Sequence, residues 1–454
     1  MKLLLNISLC LLLVFAPVTA HAVEGKILDI KEVSGSNGIK AWLVEDHTLP
    51  IIAMEFSFRQ AGSSQDSAAK QGLAIMASNT MDEGAGEYPS ETFQKLLTDN
   101  NITLRFNAGR DHFGGELKIL TKNKDLAFKL LRLALTQPRF DADPVERMRA
   151  ANLTRIRSAL SDPEWKAARL MNDTAFAGHP YALNSGGTLT TLQGITADDL
   201  RNFLKTRLGQ NNLRIGIMGD ISPAEVKAML EDVFGGLPKT VTLAAVPDIK
   251  VKNPGTVVLY EQDIPQTIIE MMQPGIGRRH PDYYTGLVMN FILGSSGFGS
   301  RLTEEIREKR GLTYGINSYF YDMNHLQGLA VSTSTKNESV PEMLKLIDAE
   351  WKKMQDAPVS DEELESAKSY LIGSFPLSLA TTENIASILL SLQLDDLPID
   401  YLDKREARIN AITKDDIQKL AKGLLTPGKM TTVLVGKPAG VTPTKTVDTL
   451  PNVE

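Results

Sequence analysis

The feature that most constrains this chain is an internal echo. Glu45 to Met54, EDHTLPIIAM, returns as Glu261 to Glu270, EQDIPQTIIE. Asp143-Pro144-Val145-Glu146 returns as Ser360-Asp361-Glu362-Glu363, and Gly194 to Leu200 returns as Ala411 to Ile417. With one residue of slack in the first segment, Ile51 pairs with Ile268, Asp143 with Ser360 and Ile195 with Ile412, each 217 residues apart. A constant spacing over three separated segments implies one fold written twice rather than a short-period solenoid. Each copy closes on a β-branched strand, Leu213 to Gly219 and Met430 to Gly436.

Within a copy, strands and helices mix without strict alternation. Ile39 to Leu43 and Pro50 to Arg59 read as strands, Ala68 to Met81 as a helix, and Ile102 to Asn107 with His112 to Thr121 as a hairpin. Asp125 to Thr136, Asp143 to Leu160, Pro163 to Phe176, Thr196 to Leu208 and Pro223 to Phe234 read as helices, opened by Asp, Pro or Thr. The expected class is α+β: two homologous domains, each a mainly antiparallel sheet with helices packed on one face. The expected boundaries are 23–236 and 256–440, joined by a linker at 237–255 that carries Pro238, Pro247 and Pro254. The tail after Pro438, with 441–454 beyond the second domain, is Pro- and Thr-rich and is expected to be poorly ordered.

Residues 1–22 read as an export leader. Lys2 supplies the charge, Leu3 to Val18 is mostly apolar, and Ala20-His21-Ala22 suits cleavage. Cys10, the sole cysteine, lies inside it, so the mature chain has no thiol chemistry and no disulfide. A periplasmic or otherwise exported location is expected. The net charge of −6 and the absence of a polybasic tract argue against nucleic acid as a partner. No stretch after the leader is apolar for long enough to span a bilayer, and no membrane association is expected once the leader is removed.

One stretch of the second copy invites a chemical reading. Gly294, Gly297 and Gly299 make a loop that can lie close to another chain. Ser300 suits an N-cap, Thr303 and Glu304 the first turn, and Arg307 to Arg310 the last turn before a Gly311 stop. Leu312 to Phe320 then reads as a strand, so Arg307 and Tyr314 straddle a helix end and a strand start. Spacing alone reads this first as a capped surface helix with an ordinary strand tyrosine.

Taken together, these segments resemble the pitrilysin/insulinase family of zinc metallopeptidases, in its short, processing-peptidase-like branch. Leu293-Gly294 through Tyr314-Gly315 is similar to the family's glycine-rich loop and Arg/Tyr pair. Ala177-Gly178-His179-Pro180-Tyr181 and the run from Ile195-Thr196 to Gly219-Asp220 are similar to the end of its N-terminal domain. Gly62-Ser63-Ser64 and Gly72-Leu73-Ala74 resemble the approach to its zinc helix. There the chain departs from the family. The inverted motif H-x-x-E-H needs two imidazoles one turn apart and a glutamate base. Ile75 and Asn79 stand where the histidines would be, and Ser78 where the glutamate would be. The third ligand, a downstream glutamate, would fall in Ala151 to Ile156, which contains Arg155 and no acid. His47, His112, His179, His280 and His325 are each isolated.

That departure implies no metal in this chain. The resemblance implies Arg307 and Tyr314 as catalytic residues offered in trans to a homologous zinc-bearing partner, with zinc held by that partner. Gly294, Gly297, Gly299, Asn107 and Ala108 are the implied substrate contacts, and peptides added to a sheet edge are the implied substrates. The function so implied is a non-catalytic, substrate-positioning subunit of an exported heterodimeric zinc peptidase. A catalytically inactive homodimer that binds peptides is the alternative.

Overall fold

The computed structural model describes residues 26–296 and 299–454. The expected leader, Cys10 and Gly297 lie outside the described residues.

Each copy builds a six-stranded sheet. In the first, β1 is Ile30–Ser34, β2 Lys40–Glu45, β3 Ile51–Arg59, β4 Thr103–Ala108, β5 His112–Leu120 and β6 Leu213–Gly219, in spatial order β1-β2-β6-β3-β5-β4. In the second, β7 is Val257–Glu261, β8 Gln266–Pro274, β9 Ile316–Met323, β10 Leu326–Lys336, β11 Thr431–Gly436 and β12 Lys445–Val447, in order β9-β10-β8-β11-β7-β12. Five strands share one topology. β6 pairs parallel with β2 and antiparallel with β3, as β11 does with β7 and β8. The sixth strand differs in origin: the first sheet is finished by the antiparallel β1, the second by the parallel β12 from the chain's end.

The duplication is kept down to its caps. Thr196 and Thr413, 217 positions apart, each cap a helix and close a box with Asp199 and Asp416. Strand register corrects the spacing elsewhere. Ala53 stands opposite Met218 and Ile268 opposite Val435, so these strands are offset by 215, from 53 to 268. The preceding strands are offset by 216, from Glu45 to Glu261, and the spacing reaches 217 only after β3 and β8.

The mixed, mainly antiparallel class is confirmed. Alternation on β3 sends Ile52, Met54, Phe56 and Phe58 toward the copy's own helices, where they meet Leu130, Phe203 and Leu230. Ile269, Met271, Leu329 and Val331 do the same in the second copy, against Met343, Ile347 and Ile417.

The opposite face of each sheet is covered as well, by the other copy. Four helices position the site and the junction: α1 Leu73–Ser78, α2 Ala142–Ala159, α3 Pro163–Ala175 and α4 Thr382–Leu394. α3, from the first copy, lays Ala167, Leu170 and Met171 on Met272, Ala330 and Val433 of the second sheet. α4, from the second copy, lays Ile385, Ala386 and Leu389 on Val44, Ala53 and Met218 of the first sheet. The two copies therefore exchange equivalent helices.

The linker has no helix or strand, and it is laced to both copies: Pro247 O accepts from His179 Nε2 at 2.8 Å, and Ile249 N–H donates to His325 O at 2.8 Å. One expectation fails here. The tail is ordered: beyond β12 it returns to the first copy, where Leu189 N–H donates to Val453 O and Asn184 Nδ2 to Asn452 O, both at 3.1 Å.

Candidate functional site

The expected zinc helix is shorter than its periodicity predicts. A 3₁₀ turn at Ala68–Lys70 precedes α1, and Gly72, at φ +89°, separates them. A side chain there would meet the Gly187 backbone at 2.8 Å, so glycine is required both by the left-handed backbone and by the close approach. Asp66, just upstream, is buried against Arg207 at 2.8 Å and accepts from Ala74 N–H. Burial pushes its carboxyl up to about 6, with Arg207 pulling the other way.

α1 packs on the edge strand β4 and beside α2. Asn79 Nδ2 donates to Asn152 Oδ1 at 3.0 Å, across the gap between α1 and α2. Arg155 donates to the same Asn152 oxygen. Asn152 Nδ2 in turn donates to Met148 O at 2.9 Å and approaches Met76 Sδ at 3.2 Å. Ser78 Oγ donates back to Ile75 O at 2.9 Å. The structure thus brings together the segments that the resemblance pairs, and Asn152 is the residue of the second helix that meets the first. The donor set does not fit zinc: two amides bonded to each other, a back-bonded hydroxyl, an isoleucine and a guanidinium offer neither an anionic ligand nor an imidazole. Among the described residues no group of three His, Cys, Asp or Glu side chains is gathered as a metal site requires.

The histidines have structural partners. His179 accepts from Tyr181 N–H at Nδ1 and reaches Pro247 O with Nε2. His47 bridges Asp220 at 2.6 Å and Glu45 at 3.1 Å. His112 sits at the junction of the two copies, where burial lowers its pKa. There the two edge hairpins touch at their tips: Arg110 Nη1 donates to Tyr321 OH at 3.0 Å, and Asn324 N–H to Asp111 Oδ2 at 3.0 Å.

The second copy's glycine-rich stretch is flanked by two wide, π-type turns, Phe291–Ser295 and Thr303–Glu308. Such turns are frequent at functional sites. Ser300 caps as expected, its Oγ accepting from Thr303 N–H at 3.4 Å and bonding Thr303 Oγ1 at 3.0 Å. Gly311, at φ +61°, ends the helix, with its N–H on Arg307 O and Leu312 N–H on Ile306 O. The strand begins four residues later than expected, at Ile316. Residues 312–315 instead form a loop fastened to β10: Thr335 Oγ1 donates to Leu312 O at 2.6 Å and Thr333 Oγ1 to Gly315 O at 2.9 Å. These hydroxyls satisfy carbonyls that a strand would have satisfied, and they free the loop to turn Tyr314 outward. Tyr314 is 88% exposed, the most exposed large apolar side chain among the described residues.

Arg307 and Tyr314 line one open cavity of about 620 Å³ with Gln266, Glu308, Arg310 and Lys336. Arg307 Nε lies 3.4 Å from Glu308. The glycines divide. Gly294 is buried, and a side chain there would strike Ser318 Oγ at 2.4 Å, so it serves packing and presents no surface to a peptide. Gly299 is exposed and open. Asn107 and Ala108 end the edge strand β4, which among the described residues pairs only with β5. Asn107 lines a separate cavity of about 320 Å³ with Glu55, Ser57 and His112, away from Arg307. Sequence reasoning missed Lys336 and Gln266; they lie on strands whose pairing no local pattern reveals.

With this geometry in hand, comparison with known proteins places residues 194–371 under a family model described as peptidase M16 inactive domain. The chain is similar to the "Non-peptidase homolog YmxG" of Helicobacter pylori, 26% identical over 83% of this chain and 86% of that one. It is 23% identical to the "Probable mitochondrial-processing peptidase subunit beta" of Schizosaccharomyces pombe, over 84% of this chain and 86% of that one. A crystal structure of a peptidase M16 inactive domain from Pseudomonas fluorescens matches with a TM-score of 0.85 and 28% identity, covering 92% of this chain and 100% of that one.

Proposed function

We propose that this chain, which belongs to the M16, or pitrilysin/insulinase, peptidase family and lacks its zinc motif, is a substrate-positioning subunit of an exported peptidase whose zinc is carried by a homologous partner chain. One observation carries the reading. Arg307 and the exposed Tyr314 line an open cavity, while Asn79 and Asn152 close the place of the metal with an amide pair. A guanidinium can hold a peptide carbonyl or carboxylate, and a phenol can donate to the oxygen of a tetrahedral intermediate. Neither group activates water, so both need chemistry supplied from elsewhere. The name of the fission-yeast relative, a peptidase subunit, supports an assembly of this kind.

The test mixes the mature chain with a homologous chain that bears H-x-x-E-H. Peptidase activity is expected to rise on mixing. Arg307→Ala or Tyr314→Phe is expected to remove about 10²-fold of it, the usual worth of an oxyanion donor, with circular dichroism unchanged. Activity indifferent to this chain, or to both substitutions, overturns the reading.

A second reading draws on the relative named a non-peptidase homologue. The chain would then bind peptides along the free edge of β4 or β9 as a homodimer. Light scattering of the purified chain with and without the zinc-bearing homologue separates the two: a mixed dimer supports the first, an unchanged self-dimer the second.

A further inference from the structure

The Arg307/Tyr314 cavity is built from two walls. The end of the preceding helix supplies Arg307, Glu308, Arg310 and Gly311, and the loop adds Leu312, Thr313 and Tyr314. The facing wall is Gln266 and Lys336, which stand directly opposite each other across β8 and β10. Three cations and one acid line the space.

The cations are not alike. Arg307 and Arg310 sit in the helix's last turn, where positive charge complements the helix dipole. Arg310 is held by Glu305, through its carbonyl at 2.6 Å and its carboxylate at 3.2 Å. Lys336 has neither explanation. It ends a strand, and among the described residues no carboxylate lies within ion-pairing distance of its ammonium. The neighbouring Thr335 fastens Leu312, so Lys336 and the loop bearing Tyr314 are held in a fixed relation. A peptide lying along this cavity with its backbone toward Arg307 and Tyr314 passes an unanswered cation on the opposite wall.

We infer that this cavity selects peptides that bring a carboxylate beside the bound backbone, with Lys336 as the selecting residue. The inference rests on reading the cavity as a peptide site, and it goes further by naming the substrate class. The carboxylate has two sources, an Asp or Glu side chain or the free C-terminus, and the chemistry at Lys336 is the same for both.

Fluorescence anisotropy on the full mature chain tests it, with labelled peptides of one sequence in four forms: neutral with an amidated end, neutral with a free end, interior Glu, and interior Lys. The Glu form, the free-end form or both are expected to bind about three- to tenfold tighter than the amidated neutral peptide, the scale of one half-exposed ion pair beside other cations. Which of the two gains identifies the source. Lys336→Gln is expected to abolish the gain, so that the Glu and free-end forms bind no tighter than the amidated neutral peptide to that variant, and Lys336→Glu to transfer preference to the Lys form. The gain is expected to shrink as salt rises from about 50 to about 500 mM. Lys336 is exposed, so these variants should melt as the parent does. Equal affinities for all four forms, or a gain that survives Lys336→Gln, overturns the inference. If the panel is flat while Arg307→Ala still abolishes the partner's activity, this inference fails and the subunit reading stands. If the carboxylate preference holds but the partner's activity is indifferent to this chain, the reverse is true.

Discussion

Tyr314 and Asp66 mark the extremes of what single residues do in this chain. Tyr314 is held outward by a loop whose own polar groups are satisfied by Thr333 and Thr335. Tyr314→Phe should therefore change urea-unfolding stability by no more than about 0.5 kcal/mol, as exposed substitutions usually do, whatever it does to a partner's activity. Asp66 is the opposite case, buried against Arg207 beneath the approach to α1. Arg207→Ala leaves a buried carboxyl without its cation and should cost about 3 kcal/mol at neutral pH. Asp66 is pushed up to about 6, so at lower pH it takes a proton and the loss should be smaller. Urea midpoints of both proteins at acidic and neutral pH check this: a cost that does not shrink at acid pH contradicts it.

Among elements, the exchanged helices α3 and α4 do most to join the copies. α4 approaches β6 closely because position 216 is glycine. A side chain there would meet Ala386 O at 2.4 Å and Leu390 N at 2.8 Å. Gly216→Val should lift the helix and cost about 2–3 kcal/mol, in the range of overpacked cores; calorimetry would show an unchanged Tm if the approach were looser. Each exchanged helix also meets a mid-sheet carboxyl. Glu55 on β3 faces Glu116 and Glu383, the latter in the first turn of α4, while Glu270 on β8 faces Glu164 in the first turn of α3. Burial pushes both up to about 7, and the neighbouring acids add to it. Both pKa values are raised above the ordinary 4.5, so the folded chain holds protons that the unfolded chain releases. Their contribution is fully present below about pH 4.5 and is lost as pH rises toward about 7. Partial exposure limits it to on the order of 1 kcal/mol each. Glu55→Gln with Glu270→Gln should flatten the Tm profile over that window, and a profile of unchanged slope would refute the assignment.

Over the whole molecule, helix exchange makes the copies interdependent. Without α4, the first sheet would expose Val44, Ala53 and Met218; without α3, the second would expose Met272 and Val433. Thermal unfolding should therefore be one transition with equal calorimetric and van't Hoff enthalpies, not two. The tail adds a second tie, since Asn452 and Val453 bond to Asn184 and Leu189 of the first copy. Removing residues 450–454 should raise amide hydrogen exchange at 184–193 while leaving β7 protected. Equal exchange in both proteins would show that the tie carries no load.

The sequence by itself determined whatever rests on local pattern. Strand and helix periodicity, the Thr196 and Thr413 caps and the 217-residue echo are each written in neighbouring residues, so the α+β class and the duplication were legible. So was the failure of the zinc motif, because Ile75, Ser78 and Asn79 are wrong in kind wherever the helix lies. The tertiary structure alone decided what depends on contacts between distant segments. The exchange of α3 for α4 has no local signature, because an apolar helix face reads the same whichever sheet it covers. The same holds for the meeting of Asn79 with Asn152, the turning-out of Tyr314 by threonines on another strand, and the sharing of one cavity by Lys336 and Arg307. Long-range pairing chooses among partners that local chemistry leaves equivalent, and only burial of both sheet faces selects one.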